Sequence, residues 1–325
     1  MVRGEIPKRR KIGRGRSITA PRSAALMLGL WGMILFALQN PEAVAQTVIA
    51  SLKLCALQVI PVLFPIAAAG SLLTVYSDLP AILGRSVGRL FRLSSASVGV
   101  VLISLVAGFP IGAMLASRLW ESGRIGEEEA ARLACYTNNA SGAFLTGFVG
   151  RVCFGNGRIG WILWLSSAAA ALTVGLWMGA HAPAPLGQNG EARGSTISPA
   201  DCIKSTALGM LYLTAFVSFF AVFGGFVRTV LAVWLPAGRW SDLFCAILSA
   251  FLEITGGVAQ IASLSLPLIP RIGLAGLAVG WSGLSVILQC MAAGRAVNGR
   301  RLLRARGWIA LLCGAYGILL ALFFF

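Results

Sequence analysis

The sequence predicts an all-α integral membrane protein of about nine membrane segments, some of them broken or re-entrant, and three observations predict it. Hydrophobic residues make up 57% of the 325 residues and charged residues only 12%. Mean hydropathy is +0.82. Apolar runs of the length that crosses a hydrocarbon core recur along the chain, among them Val59–Val75, Ile159–Ala180, Ala207–Val227 and Trp308–Phe325.

The elements follow in order. Residues 1–22 form a basic tail with Arg3, Lys8, Arg9, Arg10, Lys11, Arg14, Arg16 and Arg22, which the positive-inside rule reads as cytoplasmic. A first span at 23–40 follows it. Ala43-Val44-Ala45 before Gln46 has the look of a signal-peptidase site, but the long basic region and the membrane-embedded remainder favour a retained span. Further segments are expected at 45–77, 95–118, 130–150, 159–181, 203–233, 242–263, 268–293 and 307–325. Residues 182–199, rich in Pro, Gly and polar side chains, form a linker that divides the chain into halves at 45–181 and 200–325. With the N-terminus inside and the sides alternating, Arg85, Arg89, Arg92, Arg151, Arg158, Arg228, Arg239 and the Arg295–Arg306 cluster are all expected inside. The linker and the C-terminus then lie outside.

The net charge of +16 is concentrated in that tail and in short loops. It therefore reads as orientation and contact with anionic lipid, not as nucleic-acid binding, which would need a basic domain outside the spans. Seven cysteines show no metal spacing, and all but Cys202 sit within or beside apolar segments, so they read as small buried hydrophobes. The one histidine, His181, has no second ligand nearby, so no metal or other cofactor is expected. No P-loop, G-x-S-x-G, HExxH or paired-carboxylate constellation is present, and the chain is not expected to be an enzyme.

The halves echo each other. Ser51–Ala56 resembles Cys202–Ala207, Gly108–Gly112 answers Thr255-Gly256-Gly257, and Ser141-Gly142 answers Ser282-Gly283. Internal repeats meeting at a midplane site are a common construction of secondary transporters. Gly108-Phe109-Pro110 fits the tip of a re-entrant hairpin, because Pro110 removes a backbone donor and restricts Phe109. One such segment per half would leave an odd number of crossings in each and make the repeats inverted. Crossing by every segment would make them parallel.

The breaks carry the candidate site. Gly108, Pro110, Gly112, Gly142, Gly256, Gly257 and Gly283 interrupt apolar segments, and irregular backbone at that depth is tolerated only inside protein or along a cavity. Glu253, mid-segment in AFLEITGG, is the sharpest single residue, since a carboxylate at that depth usually faces a pathway or a partner. With Thr255 it is expected to contact a solute or to carry a coupling proton or cation. Asn138, Asn139 and Ser141 place two amides and a hydroxyl beside Gly142, where an unwound helix would add freed backbone groups. Ser282, Ser285 and Gln289 share one helical face on the segment that mirrors them. Glu127-Glu128-Glu129 reads as an acidic helix start.

The runs Gly108–Ala113, Gly123–Arg132 and Tyr136–Ser141, with Leu252–Gly257 and Gly280–Gln289, resemble the YlbJ-like sporulation integral membrane family, which carries nucleoside-recognition Gate domains. Gly142 stands where that family commonly has Pro, and Trp281-Ser282 replaces a more usual Phe-Gly. The resemblance covers roughly 45–325 and implies two Gate-like repeats after the N-terminal span. It further implies a role in endospore formation and movement of a small solute, with dipicolinic acid the leading candidate, across a forespore membrane. Nucleoside or other small-solute symport, or a scaffold for spore assembly, are the alternatives.

Overall fold

The computed structural model describes residues 20–76, 81–183, 198–236 and 238–325, so most of the basic tail and of the linker lies outside the described residues. It forms two compact units, Met1–Glu42 and Ala43–Phe325. All described elements are helical, and five helices are long and apolar enough to cross a bilayer, which makes this a multi-span integral membrane protein. In the first unit, α1 (Ala20–Gln39) is a 20-residue apolar helix.

The second unit is built from helices whose ends are tied to one another by name. Helix α2 (Pro41–Leu54) passes through a π-helical turn, Cys55–Val59, into α3 (Ile60–Tyr76). A short amphipathic helix follows, α4 (Ala81–Phe91), and then α5 (Ser95–Ala107) and α6 (Ile111–Glu121). Both lie along α3: Gly70 packs against Ile103 of α5, and the next residue, Ser71, accepts a hydrogen bond from Arg118 of α6. The chain therefore turns back at Gly108–Pro110, with Gly108 in a left-handed conformation (φ 81°) and a cis Phe109–Pro110 bond. Helix α7 (Glu127–Tyr136) runs inward again and breaks at Thr137–Ser141. It resumes as a π-helical stretch, Phe144–Cys153. Helix α8 (Gly157–Ala180) packs antiparallel on this broken crossing, Gly160 against Leu145 and Gly175 against Tyr136.

The second half repeats the order. Helix α9 (Pro199–Trp234) has 36 residues, about 54 Å at 1.5 Å per residue, more than enough to cross. A capping box of Ser198 and Asp201 starts it. Helices α10 (Arg239–Leu252) and α11 (Ile254–Ser263) form an antiparallel hairpin, with Gly257 against Ala250 and Ser249 hydrogen-bonded to Gln260 at 3.1 Å. Helix α12 (Leu268–Trp281) breaks at Ser282-Gly283 and continues as α13 (Gly283–Ala293). Helix α14 (Gly299–Phe324) packs antiparallel on α12 through Gly273, Gly276 and Gly280, which meet Ile318, Cys313 and Ala310. Small residues at these crossings let the backbones approach, the usual basis of helix association in lipid.

Polar ties define one end of the bundle. Arg92 donates to the Ala182 carbonyl (2.7 Å), Glu129 accepts from Ser94 and Ser97, Glu128 pairs with Arg301 (2.6 Å), and Glu121 with Arg295 (3.6 Å). The opposite end holds Asn156, the start of α12 and the close of α14. Traced between these ends, α2–α3 runs from the Asn156 end to the Arg301 end. Hairpin α5–α6 dips in from the Arg301 end, α7 with its π stretch crosses, and α8 returns. The second half takes the same steps in the opposite direction, with hairpin α10–α11 dipping in from the Asn156 end.

This path decides between the two readings left open for the broken segments and corrects one expectation, the sidedness of the linker. Segments 95–118 and 242–263 do not cross; each turns back on itself, because Gly108–Pro110 and Glu253 end one helix and start another in the reverse direction. In consequence Arg92 and the first residue of the linker sit at the same end as Arg295–Arg301, and Arg151 and Arg158 sit at the other. The expected opposition of the linker to the Arg295–Arg306 cluster is lost, because each non-crossing hairpin reverses the sidedness of everything after it.

Candidate functional site

Each hairpin tip rests on the break of the crossing that follows it. A Cβ built on Gly108 would come within 2.9 Å of the Ser141 side chain, and one on Gly283 (φ 79°) would meet Ile254 N at 3.0 Å and Glu253 Cα at 3.1 Å. Gly112 lies so close to Thr137 that a Cβ would stand 2.0 Å from its carbonyl oxygen. No residue but glycine fits there.

The two tips and the first break meet at a cavity of about 350 Å³. Gly108 and Phe109 of the first tip, Glu253, Ile254 and Thr255 of the second, and Ser141 of the first break all line it. Both π-helical stretches contribute, through Gln58 and through Phe144, Phe148 and Arg151. Phe144 and Phe148 stack with centroids 5.4 Å apart. The remaining wall is aliphatic, including Leu63, Leu213 and Val286. A largely apolar cleft with a few convergent polar groups is the ordinary form of a small-molecule site.

Glu253 is 7% exposed, and its carboxylate is committed to backbone. Oε1 accepts from Thr255 N and Oε2 from Gly256 N, both at 2.8 Å. It therefore caps α11, satisfying donors that a helix start leaves unpaired and placing negative charge at the positive end of the helix. A Cβ at Gly256 would stand 3.5 Å from Glu253 Oε2, an ordinary contact, whereas Gly257 is needed for α11 to close on α10, since a Cβ there would stand 2.1 Å from Ala250 Cα. Thr255 lies beside Glu253 in the lining.

Of the expected site residues, Ser141, Glu253 and Thr255 reach the cavity together, and Asn138, Asn139, Ser282, Ser285 and Gln289 lie outside its lining. Asn138 is fully buried; its Oδ1 accepts from Ala113 N (2.9 Å) and its Nδ2 donates to the Ala134 carbonyl (2.7 Å). It thereby caps the returning arm of the first hairpin from another helix. Asn139 donates to the Tyr136 carbonyl and accepts from Arg306 Nη1 at 3.5 Å. Ser282 is left-handed (φ 72°), donates to the Val279 carbonyl, and also accepts from Arg306 (3.3 Å). Gln289 donates to Ser285 Oγ at 3.2 Å. Gly142 leaves room for the Trp164 indole, whose N–H donates to the Leu105 carbonyl of α5.

Three residues were not singled out from the sequence. Arg306, grouped there with a surface cluster, is 1% exposed and bridges the two breaks through Asn139, Gly280 and Ser282. Its signal was available: it shares a helical face with the apolar Leu302, Ile309 and Cys313. Gln58 and Arg151 were read as span and loop residues, although Arg151 follows Phe144 and Phe148 at helical spacing.

The chain is 25% identical over 233 residues to the sporulation integral membrane protein YlbJ of Bacillus subtilis (strain 168). That match covers 62% of this chain and 57% of the relative, so it spans little more than half the relative's length. No protein-family model and no solved structure matches the chain.

Proposed function

We propose that the protein is a permease that moves a small polar or anionic solute across a membrane during spore formation. The observation that carries this is the convergence of two oppositely directed hairpin tips, each seated on a broken crossing, at one cavity lined by Phe144, Phe148, Ser141, Glu253 and Arg151. Discontinuous helices meeting near the bilayer midplane in two inverted halves are how many secondary transporters hold a solute and alternate its access. On this reading 45–181 and 200–325 are the two repeats, Gate-like in kind, and α1 is a separate leading span. The sporulation setting rests on the name of the B. subtilis relative.

The aromatic wall and the guanidinium favour a flat aromatic carboxylate, and dipicolinic acid is the leading candidate. The proposed location is the cell membrane, with the outer forespore membrane the specific site. A coupling proton or cation would use Glu253 only by releasing the α11 cap. By the positive-inside rule, the end bearing Arg85, Arg89, Arg92 and Arg295–Arg304 faces the cytoplasm and its anionic lipids. A nucleoside symporter is the second reading, favoured by the same ring-sized aromatic wall.

The test is uptake into proteoliposomes containing the purified full chain, with labelled dipicolinate and labelled uridine in parallel. Saturable dipicolinate uptake above protein-free vesicles supports the proposal, and saturable uridine uptake alone supports the nucleoside reading. Absence of both, in vesicles whose protein is folded by thermal melting, leaves a scaffold and overturns the permease.

A further inference from the structure

We infer that Arg151 is the specificity-determining residue of this cavity, the cation that selects a carboxylate-bearing solute over a neutral one of the same shape. The inference rests on the permease reading and assigns a role within its site. Arg151 closes the π-helical stretch Phe144–Cys153 at the Asn156 end of the bundle, and its side chain lies alongside Gly157, with Nε 3.5 Å from the position of a Cβ there. It is one of two charged residues in the cavity lining, the other being Glu253. Among the described residues Arg151 forms no ion pair.

The two charges are not equivalent toward a solute. Glu253 spends both carboxylate oxygens on Thr255 N and Gly256 N, and the α11 N-terminus offsets its negative charge. Among the described residues Arg151 has no comparable partner, so its guanidinium is the group available to an incoming anion. Its planar fork matches a carboxylate with two parallel N–H···O bonds, which a lysine ammonium cannot reproduce. Phe144 and Phe148, which stack on each other, precede it by seven and three residues on the same stretch, and these two, Arg151 and Phe109 all line the cavity. A ring resting on these faces presents a substituent to Arg151, whose exposed guanidinium stands at the rim of the cavity. A neutral ring of equal size gains the stacking and loses the ion pair.

The experiment uses the purified full chain in lipid nanodiscs and three probes: pyridine-2,6-dicarboxylate, its neutral diamide, and uridine. Binding is measured for wild type, Arg151→Gln and Arg151→Lys. Arg151 is exposed, so neither substitution disturbs packing, and thermal melting confirms the fold. Wild type should bind the dicarboxylate more tightly than the diamide. Arg151→Gln should weaken dicarboxylate binding about tenfold or more, the scale of a charge-assisted hydrogen bond, and leave the diamide unchanged. Arg151→Lys should fall between. Equal dicarboxylate affinity in wild type and Arg151→Gln overturns the inference and leaves the cavity as a binding site. Parallel loss of dicarboxylate and diamide in Arg151→Gln also overturns it, since the residue would then shape the cavity and not select charge. Binding of none of the three probes by wild type overturns the reading of the cavity itself, and this inference with it.

Discussion

Replacing Glu253 by glutamine separates a capping carboxylate from a merely polar one. In the native arrangement two oxygens accept two backbone N–H groups at 2.8 Å. Glutamine keeps one oxygen and turns the other acceptor into an NH₂ that faces a donor. One charge-assisted bond is lost, and a buried N–H is left without a partner. Each effect is worth about 1.5–3 kcal/mol by itself, and because they describe the same site their combined cost is roughly 2–4 kcal/mol. At about 2 °C per kcal/mol for a chain of this size, the melting temperature should fall by roughly 4–8 °C. Aspartate keeps the charge and is among the favoured residues at a helix N-cap, so Glu253→Asp should fall by less than half as much. The assay is thermal melting of detergent-solubilised protein followed by loss of the monodisperse chromatographic peak. A Glu253→Gln protein melting within about 1 °C of wild type would refute the capping argument.

Asn138→Leu removes the acceptor for Ala113 N and the donor to the Ala134 carbonyl; a loss of about 2–4 kcal/mol is expected from two buried unpaired groups, read as a fall in the same melting assay. Gly112→Ala places a Cβ 2.0 Å from the Thr137 carbonyl oxygen, and the expected result is loss of folded protein in the membrane fraction, while Gly224→Ala, where nothing lies within 4 Å, should accumulate normally. Single cysteines in a background lacking the native seven should label from the same side at Ala182 and Asn298 and from the opposite side at Asn156; opposite labelling of Ala182 and Asn298 would refute the hairpin path.

Much of the fold was legible because a bilayer punishes unpaired backbone, so a helix break in an apolar run stands out. Gly108-Phe109-Pro110, Asn138–Ser141, Glu253 and Ser282-Gly283 mark true interruptions, whereas Gly112, Gly142, Gly256 and Gly257, expected as breaks, lie within helices, where their missing side chains serve close packing or capping instead. Hydropathy could not say which interrupted segments turn back. Thr137–Ser141 and Glu253 look alike as breaks, yet the chain continues across at the first and reverses at the second. The difference lies in tertiary fit, in Gly257 closing on Ala250, and not in local composition. At the site, residue type pointed to the right neighbourhood and missed the division of labour. Asn138 and Asn139 carry the polar groups that a solute would use, but the broken backbone around them needs those groups first. Arg151 reads as a loop arginine from hydropathy, with its spacing from Phe144 and Phe148 the one signal that it continues their helix, and the π-helical stretch carries it onto the cavity wall.

The two hairpins also differ in how they are held. Hairpin α5–α6 is riveted to its surroundings: Asn138 caps it from α7, Ser117 accepts from Ala296 N, Arg118 reaches Ser71 and Cys202, and Trp164 holds the Leu105 carbonyl. Hairpin α10–α11 carries its own cap in Glu253 and its own cross-brace in Ser249 and Gln260. Among the described residues its polar ties outward are the Trp281 indole to the Phe251 carbonyl (3.0 Å) and Arg271 to the Ala262 carbonyl (2.6 Å). At about 1 kcal/mol net for each hydrogen bond given up, sliding the second hairpin as a rigid wedge breaks fewer bonds than prising out the first. The bundle is therefore hinged unequally: it yields more readily from the Asn156 end, on the side where Arg151 stands.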